Sequence, residues 1–507
     1  MLGKNLSLIF GPPGTGKTTT LVEIFSKHLL AGTPMDRMAY VSFTKRAATE
    51  AKERVAKKHG INPASLRWFR TLHSLAYQFL GIQRTEVMGP KDYARISLMM
   101  GQPLSIPGVP HAIADGATYG DKILFYESQA RVKGLTLTQL WKSLPTHEAI
   151  ALADMLHAEY VLMRYKKNTR KLDFIDLINR FVEVGKASAF DVVIVDEAQD
   201  LSPRQWDMVE IICKGCKNVY VAGDDDQAIF QWAGADAAQM LRLRGWGEEH
   251  ILPVSYRVPP AIKGVADQII ARVTGARAQK VWSANPHTIG RLVKVPVWHN
   301  LDCSSGSWLF LARSQYMLED IVWWCQNQGY LYESAVEFGP VRNETIRAFL
   351  AWRKLLAGGT VFADQALALY DSLRRGVGYT HGHKARVQRQ PADTLFTLKD
   401  LQKNYGLMLK AGDPMELVLG RATPTEIAFF RSSKNNDPIR ISTIHAVKGA
   451  EADHVVLLTD MSAATYQGFQ VNPDPEHRLW YVAVTRAKQT LIVVEAKNHL
   501  LRYEIPV

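Results

Sequence analysis

Short apolar runs alternate along the chain with longer segments in which apolar residues recur at helical spacing. The runs LSLIF (6–10), VVIV (192–195) and NVYVAG (218–223) each stop at or before a glycine or an aspartate. Such runs are typical of strands that are buried on both faces of a parallel sheet. The segment TTTLVEIFSKHLL (18–30) has the periodicity of an amphipathic helix. We therefore expect an α/β fold in which parallel strands alternate with helices.

The segment between the first predicted strand and the first predicted helix has the composition of a phosphate-binding loop. GPPGTGKT (11–18) matches the pattern of a glycine, four residues and then Gly-Lys-Thr. Glycines let backbone N–H groups turn toward phosphate oxygens, the lysine reaches the β- and γ-phosphates, and the threonine hydroxyl ligates Mg²⁺. A glycine turn without a ligand is the alternative. The predicted ATP-binding residues are Gly11, Pro12, Pro13, Gly14, Thr15, Gly16, Lys17, Thr18 and Thr19.

An acidic pair follows the second apolar run. FDVVIVDEAQD (190–200) places Asp196 and Glu197 directly after the predicted strand. A phosphate loop requires a carboxylate at the end of a neighbouring strand to hold the metal, and a further group to orient the attacking water. We assign Asp196, together with Thr18, to Mg²⁺, and Glu197 to catalysis. A solvated turn is the alternative explanation of an isolated Asp-Glu pair.

A third polar cluster follows the run NVYVAG. The segment DDDQAIFQWAGAD (224–236) places Gln227 a few residues past the strand, where it would sense the γ-phosphate. Its aromatic residues, Phe230 and Trp232, are of the type that stacks on bases in single-strand channels. Packing in a hydrophobic core is the alternative for the tryptophan.

The charge balance favours a polyanionic partner. The chain of 507 residues has 61 lysines and arginines against 49 acidic residues, a net charge of +12 and a pI of about 9.3. Nucleic acid is the simplest partner for this excess, and surface solubility is the alternative. Four cysteines are too few for a disulfide scaffold, so we expect a reducing, cytoplasmic compartment. We expect no signal peptide, because the phosphate loop lies where a cleavage site would be. We expect no membrane partner, because no apolar run reaches the roughly 20 residues of a membrane span.

Nine motifs occur in order along almost the whole chain, from residue 11 to about residue 490. They are GPPGTGKTT, VSFTKRAATEAKERV, TLHSLA, DFIDL, VDEAQD, GDDDQAIFQWAGAD, SYR, ISTIHAVKGAEADHVVL and LWYVAVTRAK. Together they resemble the motif set of superfamily 1 helicases of the UvrD, Rep and PcrA type. The resemblance implies an α/β fold with two RecA-like P-loop domains, each with an inserted, mostly helical subdomain, and with ATP between the domains.

The resemblance also implies roles for residues in the later motifs. Tyr256 matches the residue that stacks on adenine, and Arg257 matches one that reaches the γ-phosphate from the second domain. Arg486 resembles an arginine finger, Glu451 the ribose contact, and Gly449 a residue close to the nucleotide. The positions that match DNA contacts are Phe43, Thr44, Thr71, His73, Trp232 and His445. Core packing remains the alternative for the phenylalanine and both histidines, and surface ion pairs for both arginines.

Three features depart from the family pattern. Ala233 stands where an arginine usually follows the tryptophan, and SYRVPP replaces the usual NYRS. The family's glutamine upstream of the phosphate loop has no counterpart in the ten residues before Gly11. We therefore expect weak discrimination between ATP and GTP, because stacking on Tyr256 accepts any purine.

The domain plan follows from the same resemblance. The expected segments are 1–82 and 171–254 for the first RecA-like domain, 83–170 for its helical insertion, 255–341 and 431–507 for the second RecA-like domain, and 342–430 for a small second insertion. RRGVG (374–378) resembles the element with which the family's second insertion touches duplex DNA. A basic solvated loop is the alternative.

These features together predict an ATP- and Mg²⁺-dependent DNA helicase. By resemblance alone, we expect a monomeric translocase that moves 3′ to 5′ on single-stranded DNA and unwinds duplex at single-strand/duplex junctions. A translocase that displaces proteins from DNA without efficient unwinding remains open, because the second insertion is small. A nucleic-acid-binding module with an inactive ATP site is the alternative from another functional class.

Overall fold

The protein is described by a computed structural model that covers residues 5–105, 117–144, 150–187, 189–374, 376–390, 394–434 and 436–507. The strands, in chain order, are β1 (Asn5–Phe10), β2 (Met38–Ser42), β3 (Phe69–Thr71), β4 (Val192–Asp196), β5 (Asn218–Gly223), β6 (Glu248–Ile251), β7 (Arg291–Val295), β8 (Trp308–Ala312), β9 (Tyr332–Ser334), β10 (Val361–Phe362), β11 (Leu395–Phe396), β12 (Ile439–Thr443), β13 (Ala452–Leu458) and β14 (Ala487–Val494).

The helices are numbered in the same way. They are α1 (Lys17–Leu30), α2 (Lys45–His59), α3 (Leu72–Phe79), α4 (Pro90–Met100), α5 (Tyr119–Lys133), α6 (Leu137–Ser143), α7 (Leu152–Thr169), α8 (Phe174–Val184), α9 (Pro203–Cys213), α10 (Ala237–Leu241), α11 (Pro260–Ile270), α12 (Glu319–Gln328), α13 (Asn343–Leu356), α14 (Ala363–Ser372), α15 (His383–Gln388), α16 (Leu398–Tyr405), α17 (Met415–Val418), α18 (Pro424–Ser432), α19 (Ala463–Val471) and α20 (Asp474–Val484). No helix in the described part of the chain is long and apolar enough to cross a membrane.

The chain forms two compact units. The first comprises Met1–Ile289 and Gln467–Thr485, and the second comprises Gly290–Tyr466 and Arg486–Val507. Residues 255–289 and Gln467–Thr485 were expected in the second RecA-like domain, whereas in the structure they belong to the first unit. Residues 255–289 belong to the first unit because Ser255 and Tyr256, at their start, hydrogen-bond to the phosphate loop.

A parallel sheet lies at the centre of the first unit. Its described strands follow the order β3-β2-β4-β5-β1-β6, and every registered pair is parallel. Side chains of β4 alternate between two apolar clusters: Val193 and Val195 pack into one, and Val192 and Ile194 into the other. The apolar runs predicted as strands are thus buried on both faces, and the α/β class is confirmed.

Helices α4 to α7 form an apolar cluster of their own, apart from the two that cover the sheet. Met155 and Ala158 of α7 are fully buried in it, as is Ile96 of α4. Helix α5 begins with a capping box at Thr118 and ends at Gly134 in the left-handed conformation. Helices α4 to α7 lie within residues 83–170, the segment expected to be a helical insertion.

The second unit has a parallel sheet of its own. Its described strands follow the order β7-β14-β13-β8-β12-β9, and β10 pairs with β11 in a separate antiparallel sheet. Strand β8 is buried along its whole length. In the basic element predicted at 374–378, Arg374 donates from Nε to the carbonyl of Gly420 at 2.6 Å, and Arg375 lies outside the described residues.

Candidate functional site

The predicted phosphate loop joins the carboxyl end of β1 to the first turn of α1. Gly14 and Gly16 have φ angles of 72° and 79°, in the left-handed region that favours glycine. The Thr15 hydroxyl donates to the carbonyl of Pro12 at 2.8 Å and closes the loop on itself. A Cβ added at Gly11 would lie 2.9 Å from Cβ of Lys17. The loop therefore requires its glycines both for conformation and for space.

Lys17 points from the first turn of α1 toward the acidic pair at the end of β4. Its Nζ lies 2.7 Å from Oε1 of Glu197 and 3.8 Å from Oδ1 of Asp196. Burial by itself would lower the pKa of Lys17, but the two carboxylates raise it above its ordinary value. The lysine is therefore charged and is held by the residues that were predicted to hold Mg²⁺ and to act on the attacking water.

Asp196 is fully buried at the carboxyl end of β4. The Tyr40 hydroxyl donates to its Oδ2 at 2.8 Å, and the backbone N–H of Glu197 donates to Oδ1 at 2.9 Å. Burial raises the pKa of Asp196 to about 6, although Lys17 acts in the opposite direction. A divalent cation would stabilise this carboxylate in its ionised form. Asp196 and the hydroxyl of Thr18, in the first turn of α1, offer the hard oxygen ligands that Mg²⁺ prefers.

Glu197 adopts an unusual backbone conformation, with φ at 55°. The left-handed conformation costs about 1–2 kcal/mol for a residue other than glycine. It directs the side chain to two partners: Oε1 meets Lys17, and Oε2 accepts from Nε2 of Gln199 at 2.6 Å. Strain of this kind concentrates at functional sites.

A chain of hydrogen bonds connects Glu197 to the loop that follows β5. Gln199 donates to Glu197 and accepts, through Oε1, the backbone N–H of Asp224 at 3.0 Å. Asp224 in turn accepts from Nε2 of Gln227 at 2.8 Å. The structure thus brings together Lys17, Glu197 and Gln227, which the sequence places far apart.

The segment Ser255–Arg257 lies against the phosphate loop within the first unit. The Ser255 hydroxyl donates to the carbonyl of Pro13 at 2.8 Å, and the backbone N–H of Tyr256 donates to the carbonyl of Gly14 at 2.8 Å. The side chain of Tyr256 remains 70% exposed. Its ring lies 3.8 Å from a Cβ built on Gly16, so an aromatic face is available beside the predicted nucleotide loop.

Three of the predicted DNA residues line one cavity. Phe43, His73 and Trp232 contribute to a cavity of about 320 Å³ in the first unit. The ring of Phe230 contacts those of Phe43 and Trp232, with centroid distances of 5.3 Å and 6.1 Å. The ring of His73 meets Phe174 edge to face at 5.9 Å. A cavity of this size with aromatic walls can accept a nucleobase.

The two predicted threonines of the DNA site begin helices. Thr44 caps α2 by accepting the N–H of Ala47 at 3.2 Å, and Thr71 caps α3 by accepting the N–H of Ser74 at 3.2 Å. Their hydroxyls therefore have a structural role. Thr44 directly follows Phe43, and His73 is the second residue of α3.

The remaining predicted residues lie in the second unit. Arg486 is 2% exposed and donates from Nη1 to the carbonyl of Ala450 at 3.3 Å. Glu451 is bonded to Lys488 at 2.8 Å, and Gly449 has a φ angle of 85°. His445 follows β12; burial, with Arg313 nearby, lowers its pKa to about 3, which keeps the imidazole neutral.

Sequence reasoning missed several residues of the site. Tyr40 belongs to an apolar strand, and its hydroxyl contact to Asp196 leaves no signal in the pattern. Gln199 lies inside the motif VDEAQD, and Ser255 directly precedes Tyr256 in SYR. The sequence alone predicted no role for either residue. The only signal for the last two is their position within a motif.

Comparisons with known proteins bear on the family of the chain. A model of the UvrD/REP helicase N-terminal domain matches residues 2–245, and a model of the UvrD-like helicase C-terminal domain matches residues 426–498. The ATP-dependent DNA helicase PcrA of Staphylococcus aureus is 28% identical over 300 residues, which cover 55% of this chain and 40% of that protein. PcrA of Staphylococcus epidermidis matches with the same identity and coverage. The chain thus matches well under half of the length of these relatives. With two family models matched in order and the phosphate loop intact, the chain belongs to the UvrD/Rep family of superfamily 1 helicases.

Proposed function

We propose that this protein is an ATP-dependent DNA helicase that moves along single-stranded DNA. The observation that carries the proposal is the bonded set Lys17, Glu197, Gln199, Asp224 and Gln227 at the carboxyl ends of β1, β4 and β5. Each group has the chemistry that phosphoryl transfer to water requires: a cation for phosphates, a carboxylate for the water and an amide for the γ-phosphate.

The contact between Lys17 and Glu197 supports an exchange of partners at Lys17. In the structure, its ammonium is bonded to Glu197. In the proposed mechanism, the β- and γ-phosphates take over Lys17, and Glu197 becomes available to accept a proton from the attacking water. Gln199 keeps the other carboxylate oxygen fixed during this exchange, so the base retains its orientation.

In this proposal Asp196 and Thr18 would hold Mg²⁺, which when bound neutralises charge on the phosphates. Tyr40 fixes the carboxylate by its hydroxyl bond to Oδ2. Tyr256 would provide a stacking face for adenine. Arg486, Gly449 and Glu451 keep the roles that their motif matches imply. Arg257 is proposed to reach the γ-phosphate from the first unit, where the structure places it, and not from the second domain.

On the DNA side, we propose that the cavity lined by Phe43, His73 and Trp232 receives a base of the single strand. Stacking on aromatic rings is tolerant of sequence, because every base has a π-face. His445, in the second unit, is proposed as a second contact. Movement from 3′ to 5′ and action as a monomer are proposed from the family resemblance.

Stimulation of ATP hydrolysis by DNA tests the proposal. Phosphate release is measured with and without single-stranded DNA, for the wild type and for Lys17→Ala. We expect stimulation in the wild type and no hydrolysis in the variant, whose single-strand binding is retained. Absence of hydrolysis in a folded wild type that binds DNA would favour a binding module with an inactive ATP site.

The same preparation separates unwinding from protein displacement. The small second insertion, with its antiparallel pair β10-β11, supports displacement of proteins from single strands as the second candidate. Release of a protein bound to a single-stranded oligonucleotide, without separation of a tailed duplex, would favour that candidate.

A further inference from the structure

A buried lysine outside the predicted site binds three consecutive carboxylates. Nζ of Lys280 lies 2.9 Å from Asp224, 2.5 Å from Asp225 and 2.9 Å from Asp226. The Lys280 side chain is 2% exposed, and the three carboxylates are buried as well. Three adjacent buried carboxylates would repel one another, so the ammonium group is required for this loop to close.

The segment around Lys280 binds the same loop at further points. Arg277 donates to both carboxylate oxygens of Asp226, at 2.9 and 2.8 Å, and the backbone N–H of Ala278 donates to Asp225 at 2.8 Å. Arg478 of α20 donates to the carbonyl of Asp225 at 3.2 Å. Lys280 is the member of this set that reaches Asp224.

Asp224 connects Lys280 to the proposed catalytic groups. One carboxylate oxygen, Oδ1, lies against Lys280, and the other, Oδ2, accepts from the carboxamide of Gln227 at 2.8 Å. The backbone N–H of Asp224 donates to Gln199, which holds Glu197. A displacement of Asp224 would therefore misorient Gln227 directly and Glu197 through one intervening side chain.

We infer that Lys280 is a positioning residue for ATP hydrolysis, which orients Gln227 and Glu197 by holding Asp224. The inference rests on the proposed hydrolysis of ATP. Lys280 binds carboxylates of the loop and none of the residues of the phosphate loop. Its loss should therefore lower turnover while leaving ATP binding nearly intact, since orientation of the water and the γ-phosphate sensor matters mainly in the transition state.

The test compares Lys280→Met with Lys263→Met in single-strand-stimulated hydrolysis. Lys263 is a matched control, because its side chain is 20% exposed and pairs with a single carboxylate, Asp267, at 2.6 Å on helix α11. We expect kcat to fall at least tenfold in Lys280→Met, with KM for ATP changed less than threefold. Lys263→Met should remain within twofold of the wild type.

A double-mutant cycle with Gln227→Ala separates positioning from a general structural role. If Lys280 acts through Gln227, then Lys280→Met added to Gln227→Ala should lower kcat by clearly less than it does alone. Losses that multiply fully, or a normal kcat in a folded Lys280→Met variant, would overturn the inference. Should Lys280→Met fail to fold in a thermal melt, Asp224→Asn replaces it, and an unchanged kcat there would also overturn it.

The proposed function and this inference fail in different ways. A wild type that hydrolyses no ATP would refute the proposed function. A wild type with DNA-stimulated hydrolysis, alongside a Lys280→Met variant that differs from it only in KM for ATP, would refute the positioning role alone.

Discussion

Replacing Glu197 by glutamine should have opposite effects on ATP binding and on ATP hydrolysis. In the structure, Oε1 of Glu197 holds the ammonium of Lys17 at 2.7 Å, and Oε2 accepts from Gln199 at 2.6 Å. A carboxamide has one oxygen for these two donors. If the oxygen faces Gln199, the amide NH₂ faces Lys17, and the lysine is released toward the phosphates.

The magnitude follows from the strength of the bond to Lys17. A hydrogen bond to a charged group contributes about 1.5–3 kcal/mol, and the released Lys17 has lost one such bond. Freeing Lys17 should therefore become easier by about 1.5 kcal/mol, which is roughly a tenfold gain in affinity. Hydrolysis should fall at least ~100-fold, because the proposed base is lost while the shape of the side chain is kept.

Binding is measured by calorimetry with the imido analogue of ATP, which neither protein cleaves, and turnover is measured by phosphate release. The control is the Glu197→Gln substitution in a Lys17→Ala background. No ammonium remains to be freed there, so the gain in affinity should disappear. Weaker binding of the analogue by Glu197→Gln, or hydrolysis within tenfold of the wild type, would refute the partner exchange at Lys17.

Three further outcomes test separate parts of the account. Gly14→Ala should lower the free energy of unfolding in denaturant titrations by more than the ~1–2 kcal/mol of left-handed strain, because its Cβ would lie 2.3 Å from that of Arg257. Gly32 has a similar φ but open space around it, so the free energy of unfolding of Gly32→Ala should fall only by the strain. Burial would raise the pKa of Glu426, but its bonds to Arg342 and to the neighbouring N–H and hydroxyl groups lower it from 4.5 to about 2. The ionised Glu426 therefore stabilises the fold above pH 4.5, and this stabilisation is lost as the pH falls toward 2. Unfolding titrations across that range should show a weaker pH dependence for Glu426→Gln than for the wild type, and equal slopes would contradict the assignment. Trp232→Ala should weaken single-strand binding by about 1–3 kcal/mol in fluorescence anisotropy, and unchanged binding with a lower melting temperature would identify the ring as core.

The sequence predicts the centre of the first unit well, for a physical reason. Strands β1, β4 and β5 are covered on both faces, so their apolar runs carry a strong signal. The phosphate loop is equally legible, because Gly14 and Gly16 occupy left-handed positions that other residues avoid. The catalytic roles assigned to Glu197, Gln227 and the arginines remain predictions, and the variants above test those of Glu197 and Gln227.

The parts of the site that the sequence did not predict depend on contacts between distant segments. Lysine is a residue type that usually lies on the surface, and only the fold places the ammonium of Lys280 among three carboxylates. Tyr40 has the pattern of a core residue, and only the register of β2 with β4 brings its hydroxyl to Asp196. Ser255 joins the first unit by a bond to Pro13, which no local periodicity encodes.

Strand separation on tailed duplexes tests the central claim most directly. Matched fluorescent duplexes carry the same single-stranded tail at either the 3′ or the 5′ end, and are mixed with ATP, Mg²⁺ and wild-type protein or Lys17→Ala. We predict that the wild type separates the 3′-tailed duplex and acts much more slowly on the 5′-tailed one. Lys17→Ala should separate neither duplex. A wild type that hydrolyses ATP with single-stranded DNA but separates neither duplex would contradict the helicase assignment.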